Sequence, residues 1–386
     1  MLDAAAKGRA LMGGSEAMRR AGKTYLPKFE SESVVAYDAR LKSSWLFNGY
    51  AKAAADMTGR VFAKPVELAE GVPPQVEEWA KNIDMEGRDL STFARMVFED
   101  GVSGSGISYI MVDAPPRKAN VTQAQAKAQN LRPYLVHLRV EDILGWKSET
   151  IANVTTLTQV RILETVTEPS DDEFAEKETE QIRVLDRTDS GVQVRIFRKG
   201  KDEQWRIEGE PYFTGAGEIT IVPFYACRTG FFTGKPLLND LADVNIAHWQ
   251  SQSDQRNILH FARVPILFAA GRNEDEGPLV ISASTATTAS DPNAKLEWVE
   301  HSGQAISAGR QDLKDLEFQM ETHGLQLLVA RPGGQSATGE ALDADKETST
   351  LSMTADELQD ALEQAVIWVA QYGGVEVAEG SLAVNK

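Results

Sequence analysis

Apolar positions recur at helical spacing over roughly the first hundred residues, at spacing two over the next hundred, and at helical spacing again from Lys235 onward. In residues 31–60, Val34, Tyr37, Leu41, Trp45 and Phe47 share a helical face before an Ala-rich run closes at Gly59. LSTFARMVFEDGVSG sets Leu90, Phe93, Ala94, Val97 and Phe98 on one face, with Ser91 near the start, so a second helix ending in glycine is expected. GISYIMVDAPPR then reads as a strand from Ile107 to Val112, stopped by Pro115 and Pro116, which have no N–H for a ladder. KANVTQAQAKAQN reads as a polar surface helix.

Between Arg132 and Arg228, PYLVHLRVEDILGW, TLTQVRILETVT, QIRVLDRT, VQVRIFRK, QWRIE and EITIVPFYACR have strand length and strand period, giving a β-rich module. Inside it EPSDDEFAEKETE (168–180) carries seven acids and one lysine and reads as a solvated, mobile loop.

From Pro236, a natural first helical residue, no Gly or Pro intervenes until Pro265. The helix so predicted, about 40 Å long at 1.5 Å per residue, is apolar at its ends and polar all round from Ser251 to Asn257. Such a midsection needs support from neighbours or a wet cavity. VPILFAAG, GPLVISAS and KLEWVEHSG follow as short strands, and ISAGRQDLKDLEFQMETHGLQLL as a second helix with Leu313, Leu316, Met320 and Leu327 on one face. ARPGGQSATGEALDADKE is a loop sequence, small and Gly-rich. It leads into an amphipathic helix marked by Leu351, Leu358, Leu362, Ala365, Val369 and Tyr372, with Gly373 as its C-cap. Eight acids and one lysine lie between Glu340 and Glu363.

Composition narrows the chemistry. The 386 residues carry 40 Lys+Arg against 57 Asp+Glu, a net charge of -17, which argues against a surface built to grip nucleic acid throughout. The single cysteine, Cys227, excludes an internal disulfide framework and a multi-thiolate zinc site. The histidines (137, 248, 260, 301, 323) show no metal-binding spacing, and no run approaches the roughly 18 apolar residues of a membrane span. A soluble chain with no metal and no cofactor is expected. AMRRAGKT (17–24) imitates a phosphate loop but lacks a strand before it and a helix after it, so it is not read as a nucleotide site, and GVSGSG (101–106) precedes a strand instead of following one and reads as a turn. Carboxylates spaced along one helix, such as Asp356 and Asp360, are solvated faces more often than catalytic pairs.

The order of these pieces, and the strings VEDILGW and PLLNDLADVNIAH together with the GGQSATGE loop, resembles portal proteins of tailed double-stranded DNA bacteriophages. The resemblance implies an α+β portal fold with a helical and β wing (1–235), a first stem helix (236–263), a small β-containing clip (264–304), a returning stem helix (305–328), a tunnel loop (329–348) and a wing-crossing helix with a C-terminal segment (349–386), the crown being short or absent. It places Arg331, Gly333, Gly334, Gln335, Ser336, Thr338 and Glu340 in the tunnel loop facing DNA, and offers Gln252, Asp254, Gln255 and Arg256 as channel-facing stem residues.

By the same resemblance the chain forms a ring, usually of twelve subunits, at one capsid vertex. Double-stranded DNA passes through it during packaging and ejection without being cleaved. The implied partners are the terminase large subunit, a head–tail adaptor, and the major capsid and scaffolding proteins. The implied location is the virion, with assembly in the host cytoplasm, and no enzymatic activity is expected. The acidic 340–363 stretch suits a conduit along which phosphates slide without being held. The alternatives are an intracellular acidic hydrolase using a carboxylate pair, and another phage structural protein of tail or baseplate type.

Overall fold

The computed structural model describes residues 1–115, 125, 129–169, 172, 174–200, 202–263, 266–271, 293–299, 303–325 and 337–385. Among these the helices are α1 (Leu2–Met12), α2 (Gly14–Ala21), α3 (Val34–Ser43), α4 (Gly49–Val61), α5 (Pro74–Ala80), α6 (Leu90–Ser103), α7 (Asn239–Ala262), α8 (Gln304–Leu325) and α9 (Ala337–Gly373). The strands are β1 (Glu67–Leu68), β2 (Ile107–Asp113), β3 (Tyr134–Leu138), β4 (Ile143–Ile151), β5 (Val154–Pro169), β6 (Glu176–Thr188), β7 (Gly191–Lys199), β8 (Trp205–Ile207), β9 (Tyr212–Phe213), β10 (Ile221–Tyr225), β11 (Arg228–Gly230), β12 (Thr233–Gly234), β13 (Ile266–Ala270), β14 (Lys295–Val299) and β15 (Leu382–Ala383). They form two compact units: residues 1–13, 48–242 and 322–386, and residues 14–47 and 243–321.

In the first unit β2 runs between β10 and β3 in an antiparallel sheet. Ile107 to Val112 are all buried, so both faces of this run, apolar except for Ser108, are covered. Ile107, Tyr109 and Met111 share a core with Val160, Ile162, Leu185, Val192 and Val194 of the larger sheet. The alternate residues point the other way, and β2 also packs on α6 and α9. Helix α6 starts at Asp89, whose carboxylate accepts the Thr92 N–H at 2.7 Å, a cap that contributes about 1 kcal/mol. Of GVSGSG, expected as a turn throughout, Gly101–Ser103 are instead the last residues of α6, and only Gly104–Gly106 form the turn into β2. Gly106 has φ +78°, and a Cβ there would lie 1.7 Å from the Lys235 carbonyl oxygen.

The larger antiparallel sheet has the order β4-β5-β6-β7-β8, with β9 also on β7. β5 and β6 pair from Gln159↔Asp186 out to Pro169↔Glu176, whereas β6 and β7 stop at Gln181↔Arg198 and β4 reaches only Ile162. Residues 165–169 and 176–180 therefore continue beyond the sheet as a two-stranded arm about 17 Å long. Most of the acidic run expected as a loop is thus strand. Val166↔Thr179 and the opposite charges of Glu168↔Lys177 face each other across the arm, cross-strand pairs that the charge content masked. Helix α9 closes with Gly374 at φ +74°, its N–H on the Gln371 carbonyl and the Val375 N–H on that of Ala370, so the left-handed cap falls one residue past Gly373.

The second unit holds α2, α3, most of α7 and α8, and the β13–β14 hairpin. Partners pair in opposite order along α7 and α8 (His248 with Glu317, Ser251 with Asp312, Gln255 with Ile306), so the two helices are antiparallel. The single helix expected over 31–60 is instead α3 and α4. Ser33 and Asn48 cap them by accepting the Ala36 and Ala51 N–H groups, and short polar side chains of this kind favour helix ends over helix interiors. Residues 14–47, read as part of the wing, cluster with 243–321. The segment 349–386 clusters with 48–242. Thr338, Glu340 and the rest of 337–348, expected in the loop, are helical and extend α9; Ala, Glu and Lys are strong helix formers there. The KANVTQAQAKAQN helix and the GPLVISAS strand fall outside the described residues, apart from Gln125, Gln129 and Asn130.

Candidate functional site

The polar midsection of α7 is the feature that the sequence singled out, and in the second unit it is a packed seam. Asn245, His248, Trp249, Ser253 and Gln255 are all buried. Asn245 Nδ2 donates to the Phe47 carbonyl at 2.8 Å, Gln250 Nε2 to that of Tyr25 at 3.0 Å, and Gln255 Nε2 to that of Ile306 at 2.9 Å. Ser44 Oγ donates to Ser253 Oγ at 2.9 Å, and Ser251 Oγ to Asp312 Oδ2. The bonds of Asn245, Ser253 and Gln255 answer buried polar groups, so the helix that lacks an apolar stripe is held through hydrogen bonds by the segments flanking α3 and by α8. α8 comes close at Gly309, where a Cβ would lie 2.2 Å from Gln255 Oε1.

Arg40 of α3 anchors this seam. Its side chain is 2% exposed and its partner Glu32 8%. The pair is bidentate, Nε to Oε1 at 2.8 Å and Nη2 to Oε2 at 2.9 Å. A further bond runs from Nη2 to the Pro27 carbonyl at 2.9 Å, Phe29 stacks with its ring centroid 4.3 Å from Cζ, and Asp254 of α7 lies 3.6 Å away. The hydrogen bonds from Arg40 hold the Glu32 carboxyl below its ordinary range. Burial pushes the Asp254 carboxyl up, against the pull of Arg40.

His248, 2% exposed, lies 3.5 Å from Glu317 and 5.4 Å, centroid to centroid, from the Phe47 ring. Burial lowers its pKa, and Glu317 and Asp312 only partly offset that, so the imidazole is neutral at pH 7.

The stem residues offered as channel-facing do not behave as one set. Gln255 is buried against α8, Asp254 faces Arg40, and Gln252 is half-buried with Oε1 enclosed and without a hydrogen-bond partner among the described residues. Arg256 alone of the four is exposed. Of the tunnel-loop set, Arg331, Gly333, Gly334, Gln335 and Ser336 lie outside the described residues. In the acidic stretch, Glu357 and Asp360 are exposed on α9, whereas Glu363 accepts the Gly380 N–H at 3.4 Å and so faces the C-terminal segment.

The first unit buries two charged clusters that periodicity does not reveal. Asp100 on α6 meets His137 Nε2 at 3.3 Å and pairs with Arg9, which also bonds Glu141 at 2.9 Å; Ser108 Oγ lies 2.8 Å from the same His137 nitrogen. Serine and aspartate here share one imidazole nitrogen, whereas a nucleophilic triad needs them on opposite nitrogens, and Ser108 is fully buried. The cluster is a structural ion network. Burial pushes the Asp100 carboxyl up, but His137 and Arg9 outweigh it and hold the group below its ordinary value. In the second cluster Arg183 lies 2.6 Å from Asp113 Oδ2 and 2.8 Å from Glu164 Oε1, and Tyr134 Oη donates to Asp113 at 3.1 Å. Burial alone would lower the guanidinium pKa; the two carboxylates carry it above its usual value.

A cavity of about 300 Å³ opens at the end of β6, between Arg187, the Gly215–Gly217 loop and the last turns of α9 at Trp368, Gln371 and Tyr372. Its one carboxylate, Glu218, accepts the Trp368 Nε1–H at 3.0 Å. The acid pair that the hydrolase alternative requires is therefore not in this cavity. Among the described residues no group of His, Cys, Asp and Glu is arranged to hold a metal ion, and no helix is long and apolar enough to cross a membrane.

No curated protein matches the chain. Among solved structures, the virion of a native gene transfer agent particle is similar over 93% of this chain and 87% of that one, at 9% identity and a TM-score of 0.40. A family model described as a domain of unknown function (DUF4055) matches residues 236–373, the span that begins at Pro236, takes in α7, β13, β14 and α8, and ends with the last residue of α9.

Proposed function

We propose that the chain is the subunit of a phage portal, a homo-oligomeric ring through which double-stranded DNA is packaged and ejected. The observation that carries the reading is the pair α7 and α8: two antiparallel helices, 24 and 22 residues long, separated by the β13–β14 hairpin, and followed by the 37-residue α9, which returns into the first unit. At 1.5 Å per residue α7 extends about 36 Å.

In this reading α7 and α8 are the stem, the β13–β14 region is the clip that docks the terminase and then the head–tail adaptor, and residues 329–336 with the start of α9 approach the axis. The chain contributes no bond-breaking chemistry. A net negative lining lets the duplex slide, because acids outnumber the cationic groups that would release its counterions. The portal would sit at one vertex of the virion, after assembly in the host cytoplasm with capsid and scaffolding proteins. The test is the mass of the purified protein in solution, alone and with co-expressed capsid and scaffolding proteins. Closed assemblies near twelve subunits are expected, and a monomer under every condition contradicts the reading.

A further inference from the structure

Two features of the first unit are unexplained within one copy, and their chemistries match. The first is the hairpin tip beyond the arm. Phe174 is 93% exposed, and the turn that presents it is fixed by Asp172, whose Oδ1 accepts the Phe174 N–H at 3.0 Å and whose carbonyl accepts the Ala175 N–H at 3.1 Å. A two-stranded arm is marginal in water on its own, and this one displays a large apolar ring among acids. The second feature is the cavity at the opposite end of β6. Trp368 and Tyr372 supply aromatic wall, the Gly215–Gly217 loop leaves room, and the Arg187 side chain makes no hydrogen bond or ion pair among the described residues.

Tip and cavity lie eleven residues apart along β6, from Glu176 to Arg187, or about 36 Å at strand rise. The tip of a chain therefore does not reach its own cavity. Two different complementary patches at opposite ends of one element make a head-to-tail contact, the kind that closes into a ring when the rotation between copies fits. About 300 Å³ is the lower limit for a ligand pocket and suits one aromatic side chain.

We propose that the β5–β6 hairpin tip of one copy docks into the β6-end cavity of the next, with Phe174 filling it against Trp368 and Tyr372 and Asp172 pairing with Arg187. The occupant is thus a second copy of this chain, and the inference rests on the ring reading above. The test uses full-length protein with Cys227→Ser as background. Phe174→Cys and Gln371→Cys are made separately and together, and oxidant is added to the assembled protein. The double variant is expected to give a ladder of disulfide-linked oligomers, and the two single variants mixed are expected to stop at a linked dimer. In a second arm, Arg187→Asp weakens self-association at least tenfold, and adding Asp172→Arg restores it to within threefold. Rings that form without cross-links, or that tolerate Arg187→Asp unchanged, overturn this contact and leave the ring reading standing. Absence of any assembly overturns both.

Discussion

Replacing Glu32 with glutamine leaves the Arg40 guanidinium, 2% exposed, without its bidentate partner at the junction of α3 and α7. Removing one member of a buried ion pair costs about 3–5 kcal/mol, because the remaining charge stays desolvated. Asp254 at 3.6 Å is the nearest substitute and is itself half-exposed, so it recovers little. At 1.4 kcal/mol per decade the loss corresponds to roughly two to three and a half orders of magnitude in the local opening equilibrium. Hydrogen exchange read by mass spectrometry reports it directly: amides of α3 and of residues 243–257 should exchange faster by that factor in Glu32→Gln, while those of β2 and β5 keep their protection. Glu32→Leu combined with Arg40→Met removes both charges and should lose far less, since apolar replacement of a whole buried pair is commonly neutral or stabilising. The pH dependence has a fixed sign. The folded carboxyl titrates below its ordinary value of about 4.3, so the contribution of the pair is complete above that pH and is lost as pH falls through the lowered folded value. Glu32→Gln should lack this acid-dependent step. Protection within twofold of the parent, or an unchanged acid transition, would refute the role given to Arg40.

Gly106→Ala should abolish soluble expression or lower the melting temperature sharply, because the new Cβ overlaps the Lys235 carbonyl at a residue with φ +78°. Asp100→Asn should cost about 2–3 kcal/mol in urea unfolding of the first unit, through lost charged hydrogen bonds to His137 and Arg9. His248 should titrate below about 6.5 in an NMR pH series. Its neutral burial then contributes stability above that pH, which is lost as pH falls toward the lowered folded value, and His248→Leu should flatten this slope.

Much of the fold was legible where one local rule governs. The α6 stripe from Leu90 to Phe98 and the strand at Ile107–Val112 follow from periodicity, and the turn between them from Gly106, a residue that tolerates positive φ, although that turn is only Gly104–Gly106 because the helix runs on through Ser103. The long α7 and its unusual midsection were also visible, but what satisfies that midsection was not. Ser44, Phe47 and Ile306 lie far away in sequence, and a hydrogen bond between distant segments leaves no periodic trace. The same reason hid the association of residues 14–47 with 243–321 and the burial of Arg40, which looks like any surface arginine on a short helix. The arm was missed because seven acids suggested solvent, although Thr165, Val166, Thr167 and Thr179 are good strand formers. Arg187 had no signature at all, since what marks it is the lack of a polar partner among the described residues.

The portal account stands or falls on rotational symmetry. Cryo-electron microscopy of the purified assembly, sorted into top-view classes and reconstructed, should show a closed ring of about twelve copies, with α7 and α8 packed side by side around a water-filled channel and residues 329–346 nearest the axis. A particle without rotational symmetry, or a ring with that segment on its outer surface, would contradict it.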